Sequence, residues 1–477
     1  MSTTPADAAR ERAITEFVRV SPVITALGEL FAEAGHEVSL VGGSVRDALM
    51  GRLGNDLDFT TSARPGEVEN LLAGHVEAMW DIGRDFGTIG CRVGQITCEI
   101  TTYRTEDYHH RSRKPDVQYG TSLEGDLARR DFTVNAMAVR LPSLEFVDPF
   151  RGTDDLAVRV LRTPGSPEDS FDDDPLRMLR AARFASQLEM SVAEPVLGAI
   201  AAMTDRLAIV SSERVRDEFS KLLRSPRPRP GLAILVDSGL AEVFLPELPA
   251  LRLEVDEHHR HKDVYEHTLT VVEQAIDLET DGPDLVLRLA ALLHDIGKPA
   301  TRRFESGGGV SFHHHEMVGA RMSRKRLKAL RYPKEVVDDV SGLVELHLRF
   351  HGYGDGEWTD SAVRRYVRDA GPLLPRLHAL TRADCTTRNR RKAAALSRAY
   401  DDLERRIDVL AEAEELAAMR PDLDGNQIME ILGIGPGREV GQAYQYLLEL
   451  RLEHGPLGEA EASVMLRKWW AARQSTH

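Results

Sequence analysis

Three cysteines in 477 residues, Cys91, Cys98 and Cys385, with no C-x-x-C spacing, leave no material for a disulfide framework or a thiolate zinc site. A reducing compartment fits that scarcity. No apolar run approaches the ~18 consecutive residues of a membrane helix, so nothing is expected to span a bilayer. Ser2 to Arg12 is polar and lacks the apolar segment of a secretory signal. A cytoplasmic protein is expected. A basic excess is missing too: 61 Lys and Arg against 76 Asp and Glu give a net charge of −15. That excludes a general basic coat for nucleic acid but leaves room for a local basic groove. Internal repeats are absent. What is present is an ordinary hydrophobic content of 42%, enough for sizeable cores. At ~150 residues per domain the length corresponds to about three units.

The most informative stretch is Val38-Ser39-Leu40-Val41-Gly42-Gly43-Ser44-Val45-Arg46-Asp47, continued by Asp56-Leu57-Asp58-Phe59. The first part reads as strand, glycine turn, helix, with Ser44 as the expected N-cap. Two glycines before a helix let backbone N–H groups approach a phosphate, and Arg46 can grip phosphate oxygens bidentately. In the second part Asp56 and Asp58 are two apart on a strand and share one face, while Leu57 and Phe59 turn to the core. Paired carboxylates suit a hard cation such as Mg²⁺. A phosphate cradle beside them is equipment for phosphoryl-type transfer. Strands are expected at 38–41, 56–60, 88–93, 96–103 and 134–141, and helices at 14–34 and 65–73. Glu99 reads either as a third carboxylate of the metal site or as a strand-edge Glu paired with an Arg. Residues 106–119 read as a basic loop.

Taken together, these motifs resemble the head of the class II tRNA nucleotidyltransferase and bacterial poly(A) polymerase family, one of the polymerase-β-like nucleotidyltransferases. Arg129-Arg130-Asp131-Phe132-Thr133-Val134-Asn135-Ala136-Met137 matches that family's R-R-D-F-T-x-N-A-M motif throughout. The paired arginines suit a triphosphate and Asp131 a ribose hydroxyl. Next, Asp173-Asp174-Pro175-Leu176-Arg177 resembles the family's E-D-x-x-R, with Asp173 in the place of Glu. Arg177, Arg180 and Arg183 then recur at i+3 along one helix face. The resemblance implies that Asp174 and Arg177 pair with the base edge of the incoming nucleotide. It places Gly42, Gly43, Arg46, Arg129, Arg130, Asp131, Asn135, Arg180 and Arg183 among the nucleotide-binding residues. Glu213-Arg214 to Glu218-Phe219 resembles the neck helix, and Arg224 to Gly231 reads as a linker.

A second chemistry begins near residue 258. His267, the pair His294-Asp295, His315, His347 and Asp384 occur in an order that resembles the HD phosphohydrolase superfamily. Imidazoles with carboxylates suit a transition metal pair that activates water, with Ni, Mn or Co as candidates. Among His313, His314 and His315, the last is taken as the ligand because it directly precedes Glu316 and the following helix. His258, His259 and His261 read as surface residues. Basic clusters at 321–331 and 388–392 are candidate RNA-backbone contacts. Leu423 to Gly441 resembles the family's tail, and Trp469-Trp470 reads equally as core or as stacking surface.

The expected fold is α+β. A mixed α/β nucleotidyltransferase head is followed by an all-α neck, HD domain and tail. The expected segments are 1–37 (helical), 38–160 (head), 161–255 (neck), 256–400 (HD) and 401–477 (tail). The resemblance implies a Mg²⁺-dependent enzyme, with Asp56, Asp58 and Glu99 catalytic, that adds CCA from CTP and ATP to tRNA 3′ ends. A poly(A) polymerase and an enzyme adding only CC or only A share these motifs. Rivals of other classes are an HD phosphohydrolase with a nucleotide-binding head and a non-catalytic RNA-binding module. Oligomeric state is not encoded in any of these features.

Overall fold

The structure, a computed structural model, describes residues 5–81, 83–107, 116–120, 122–252, 263–305, 310–352, 358–387, 389–414 and 420–474. The chain divides into two compact units, Met1–Pro246 and Glu247–His477.

Unit 1 opens with α1 (Pro5–Glu33), then β1 (Val38–Val41), α2 (Gly43–Leu49), β2 (Asp56–Thr61), α3 (Pro65–Leu72), β3 (Ala78–Trp80), β4 (Thr88–Val93) and β5 (Ile96–Thr102). Strands β6 (Arg104–Asp107) and β7 (Asp116–Tyr119) form a separate antiparallel ladder. After α4 (Leu123–Ala128) come β8 (Ala138–Leu141) and β9 (Glu145–Val147). Seven strands make one mixed sheet in the order β3-β4-β5-β2-β1-β8-β9. Its central pairs are β1 against β2, antiparallel, and β2 against β5, parallel. Apolar residues of β1, β2 and β5 share one buried core with Val20, Ile24, Leu27 and Phe31 of α1. The apolar face of α1 is therefore part of the head's core.

Helices α5 (Gly152–Val158), α6 (Pro167–Asp173), α7 (Leu176–Gln187), α8 (Glu194–Ala202), α9 (Ser212–Leu223), α10 (Arg229–Asp237) and α11 (Leu240–Phe244) complete the unit. Ser211 caps α9 by accepting from the Arg214 N–H, and Asp174 serves the start of α7 by accepting from the Leu176 N–H.

Several boundaries differ from expectation. The strand expected at 134–141 begins only at Ala138, because Thr133–Asn135 closes a 3₁₀ turn. Residues 152–158 are helical, and the linker ends where Pro228 starts α10. The expected loop 106–119 has paired ends in β6 and β7, while 108–115 lie outside the described residues. Ser44 is not the cap of α2. Gly42 takes that position, and the Ser44 hydroxyl accepts from the Asp58 N–H at 2.9 Å.

Unit 2 is helical: α12 (Val264–Asp277), α13 (Leu285–Leu293), α14 (Lys298–Thr301), α15 (His315–Ala329), α16 (Lys334–Leu346), α17 (Asp360–Ala370), α18 (Leu374–Ala383) and α19 (Arg390–Glu414). The tail, α20 (Gly425–Leu432), α21 (Arg438–His454) and α22 (Gly458–Gln474), packs around Leu423, Ile428, Leu447 and Leu466. Trp469 packs against that core and stacks on Tyr446 at 5.0 Å between ring centroids. Among the described residues no helix is long and apolar enough to cross a membrane.

Candidate active sites

On β2 the burial alternates as the sequence predicts: Asp56 and Asp58 are exposed, Leu57 and Phe59 buried. The parallel ladder sets Asp58 opposite Glu99 and Asp56 opposite Thr97. Register partners share a face, so Glu99 joins the two aspartates. Protein crowds the Asp58 carboxyl and pushes its pKa up. Glu99 and Asp56 push the same way, and Arg130 and Arg46 oppose them. Three carboxylates that repel one another at fixed positions fit a hard divalent cation.

The glycine turn lies beside them. Gly42 has φ +66°, and a Cβ there would meet Arg130 Nη1 at 2.6 Å. A Cβ on Gly43 would lie 3.9 Å from Asp58 Oδ2 and 3.5 Å from Arg46 Nη2. Arg46 is buried. Its Nη1 donates to Asn135 Oδ1 at 2.5 Å, and its other nitrogens donate to Asp47. Arg130 donates to Asp126 at 3.1 Å. The Arg129 carbonyl accepts from Arg177 Nη2 at 2.5 Å.

The arginine stripe on α7 faces inward. Arg180 donates to Asp131, which also accepts from Asn135 and from the Phe132 N–H. Burial pushes the Asp131 carboxyl up, but Arg180, Asn135 and Arg177 outweigh it and hold the pKa at about 2. Arg183 donates to Glu218 of α9 at 2.5 Å, and Arg180 lies 3.6 Å from the same residue. Asp131, expected at a ribose hydroxyl, is thus buried in an ion-pair network that includes Arg180, Arg183 and Glu218. Asp174 and Arg177 are half-buried at the start of α7. Asp174 Oδ2 accepts from Arg214 at 2.8 Å, and Arg177 donates to the Ser170 hydroxyl at 2.9 Å. Arg214 had no expected role. Its motif Glu213-Arg214 was visible, but its partner lies 40 residues away.

In unit 2 the histidines converge. His267 comes from α12, His294-Asp295 from the end of α13, His315 from the first residue of α15, His347 from the end of α16 and Asp384 from the end of α18. His267 Nε2 lies 3.0 Å from Asp384 Oδ1, His294 Nε2 lies 3.2 Å from Asp295 Oδ2, and His315 Nε2 lies 3.2 Å from Asp295 Oδ1. Two groups of donor atoms, His267 with His294 and Asp295, and Asp295 with His315 and His347, each fit within 4.8 Å. Gly297 makes this convergence sterically available, since a Cβ there would meet the His315 carbonyl at 2.1 Å. Among the described residues, the buried Nε2 atoms of His294, His315 and His347 have no hydrogen-bond partner. Burial pushes His347 down to about 3, which keeps its imidazole neutral. His294 and His315, together with Lys298, help to hold Asp295 ionised against its burial. Imidazoles around a shared carboxylate fit divalent transition metals. His313 and His314 are exposed, and His258, His259 and His261 lie outside the described residues. A cavity of about 650 Å³ opens on the cluster and is bordered by Lys298, Lys392, Phe350 and Tyr400.

Of the basic clusters, Arg324 pairs with Asp338 and Arg326 with Glu247. Arg321, Lys325 and Lys328 are exposed, and Arg388 lies outside the described residues.

An acidic sheet face beside a glycine turn, joined in the same chain to a histidine–aspartate cluster on helices, defines a nucleotidyltransferase coupled to an HD domain. Family models agree segment by segment: a Poly A polymerase head domain matches residues 38–162, a probable RNA and SrmB- binding site of polymerase A matches 189–251, and an HD domain matches 264–389. An A-adding tRNA nucleotidyltransferase of Deinococcus radiodurans is 34% identical over 441 residues, 90% of this chain and 95% of that protein. A CC-adding tRNA nucleotidyltransferase of Thermus thermophilus is 34% identical over 448 residues, 91% of this chain and 94% of that one. The crystal structure of the Bacillus stearothermophilus CCA-adding enzyme in complex with CTP superposes with a TM-score of 0.69 at 25% identity, covering 95% of this chain and 98% of that one. The chain belongs to the tRNA nucleotidyltransferase family. Both of its enzyme folds imply the use of divalent metals.

Proposed function

We propose that this cytoplasmic protein adds CCA to tRNA 3′ ends from CTP and ATP, without a nucleic-acid template. The observation that carries the reading is the Asp56, Asp58 and Glu99 cluster, on one sheet face beside the Gly42-Gly43 turn. Those three carboxylates would hold Mg²⁺. Bound there, Mg²⁺ neutralises triphosphate charge and makes the RNA 3′-hydroxyl more acidic. The 3′-oxygen attacks the α-phosphate, and pyrophosphate leaves. Gly43 leaves room for a phosphate to approach the backbone. Arg129 and Arg130 bind triphosphate oxygens, and Arg46, held by Asn135 and Asp47, adds positive charge behind the turn. Asp174 accepts from the exocyclic amine of cytosine or adenine, while Arg177 donates to the adjacent ring nitrogen. Asp131, Arg180, Arg183 and Glu218 fix the helix that carries Arg177.

The test is a product ladder on tRNA lacking its terminal CCA, with CTP and ATP supplied singly and together. Two additions with CTP alone and three with both support the reading. Replacing Asp58 by Asn should lower the rate roughly 10³-fold, matching the several kcal/mol a metal supplies. A second reading has its own support, because two relatives matched along nine-tenths of this chain are named A-adding and CC-adding. Addition of A only, of CC only, or of an unlimited A tract would replace CCA addition by the corresponding activity.

For unit 2 we propose a phosphohydrolase that uses Ni²⁺, Mn²⁺ or Co²⁺ held by His267, His294, Asp295, His315, His347 and Asp384. The unpartnered Nε2 atoms support this. Metal analysis of the purified chain, and phosphatase or phosphodiesterase assays with each ion added, test it.

A further inference from the structure

We infer that Thr386 positions His267 for metal binding and makes the two halves of the histidine cluster unequal. The inference rests on the reading of that cluster as a metal site. His294, His315 and His347 share one device. Each places Nδ1 against the main-chain carbonyl three residues earlier: Ala291 at 2.8 Å, Phe312 at 2.9 Å and Val344 at 2.6 Å. A carbonyl can only accept, so each ring carries a proton on Nδ1 and turns Nε2 inward. Local geometry makes this available. Ala291 and Val344 lie in the last turns of α13 and α16, where carbonyls lack helical partners, and Phe312 precedes α15.

His267 cannot use the same device. It lies inside α12, where the carbonyl three residues back, at Val264, belongs to the helical ladder. Its Nδ1 finds the hydroxyl of Thr386 instead, at 3.0 Å and 119 residues away. Thr386 is in turn set by the end of α18, because its N–H donates to the Asp384 carbonyl at 2.9 Å. Asp384 Oδ1 lies 3.0 Å from the other nitrogen of the same ring. The turn Asp384-Cys385-Thr386 therefore grips His267 on both sides. Of the two donor groups, the one made by Asp295, His315 and His347 has both imidazoles oriented by carbonyls. In the one made by His267, His294 and Asp295, a carbonyl orients His294, but the Nδ1 of His267 is held by a side-chain hydroxyl.

The experiment is calorimetric titration of the metal-stripped full chain with Mn²⁺. It is run in the Asp56→Asn/Asp58→Asn background so that the head contributes no binding. The unmodified cluster should show two steps. In Thr386→Val, which keeps the shape and removes the hydroxyl, one step should weaken by about 10–100-fold while the other is unchanged, and Thr386→Ser should restore it. Coincident metal-free melts of the three proteins show that the fold is shared. Superimposable isotherms for threonine and valine, equal weakening of both steps, or a single step with threonine in place would overturn the inference. Absence of any Mn²⁺ binding with threonine in place would instead defeat the metal reading itself.

Discussion

Arg180 donates from both Nε and Nη2 to one carboxylate oxygen of Asp131, at 2.8 and 2.5 Å, and so ties α7 to a segment 49 residues earlier. Asp131 is buried and its carboxyl is held at about 2 rather than 3.8. A depressed acid stabilises the fold at any pH above its unfolded value and loses that contribution as pH falls through its folded one. The shift corresponds to about 2 kcal/mol. Asp131→Asn should therefore destabilise unit 1 by about that amount at neutral pH. The gap to wild type should close between about pH 4 and pH 2. Hydrogen exchange of α7 peptides across that range measures it, and a gap that is independent of pH would contradict the assignment.

Gly43 offers a clean separation of folding from binding. A Cβ at this position meets no protein atom closer than 3.5 Å, and Gly43 is the first residue of α2. Gly43→Ala should leave stability unchanged or raise it by up to about 1 kcal/mol. If a phosphate approaches the backbone here, the methyl group obstructs it, and KM for CTP and ATP should rise. Thermal melts and steady-state kinetics on the same preparation decide. Gly42→Ala should cost both stability and activity, because its φ is +66° and its Cβ would displace Arg130.

Asp174 and Arg177 each have a partner within the protein, Arg214 for the first and Ser170 for the second. A polar reading pocket left mispaired by the wrong base can discriminate by ~10⁴ or more. The Asp174→Ala/Arg177→Ala double variant should relax the preference for CTP and ATP over UTP and GTP more than it weakens triphosphate binding. Arg214→Met should do the same to a smaller degree, by releasing Asp174 from its fixed position. The measurement is kcat/KM for all four nucleotides, and undiminished selectivity in the double variant places base reading elsewhere.

Stripping metal from unit 2 should lower its melting temperature, because three buried Nε2 atoms then lack a hydrogen-bond partner among the described residues. Adding Mn²⁺, Ni²⁺ or Co²⁺ at about 100 times its Kd should return about 2.7 kcal/mol. Asp295→Asn should remove that response, since this carboxylate belongs to both donor groups. Differential scanning calorimetry in chelator and in each ion checks it.

The alternation Asp56-Leu57-Asp58-Phe59 and the glycine turn were readable without coordinates, because strand periodicity and glycine conformational freedom are local properties. The exact start of β8 was not, since the turn at Thr133–Asn135 depends on tertiary packing of the chain around it. Nor was the direction of the arginine stripe. Spacing at i+3 gathers Arg177, Arg180 and Arg183 on one face but does not say whether that face meets water or Asp131 and Glu218. Glu99 was open between two readings until the β2–β5 register set it opposite Asp58. Of three consecutive histidines, His315 alone turns inward, because Gly297 admits the start of α15 at that residue. The sequence by itself thus determined the residue types and their local faces. Tertiary structure decided which faces meet, because strand register and close helix approach are set by contacts far apart in the chain.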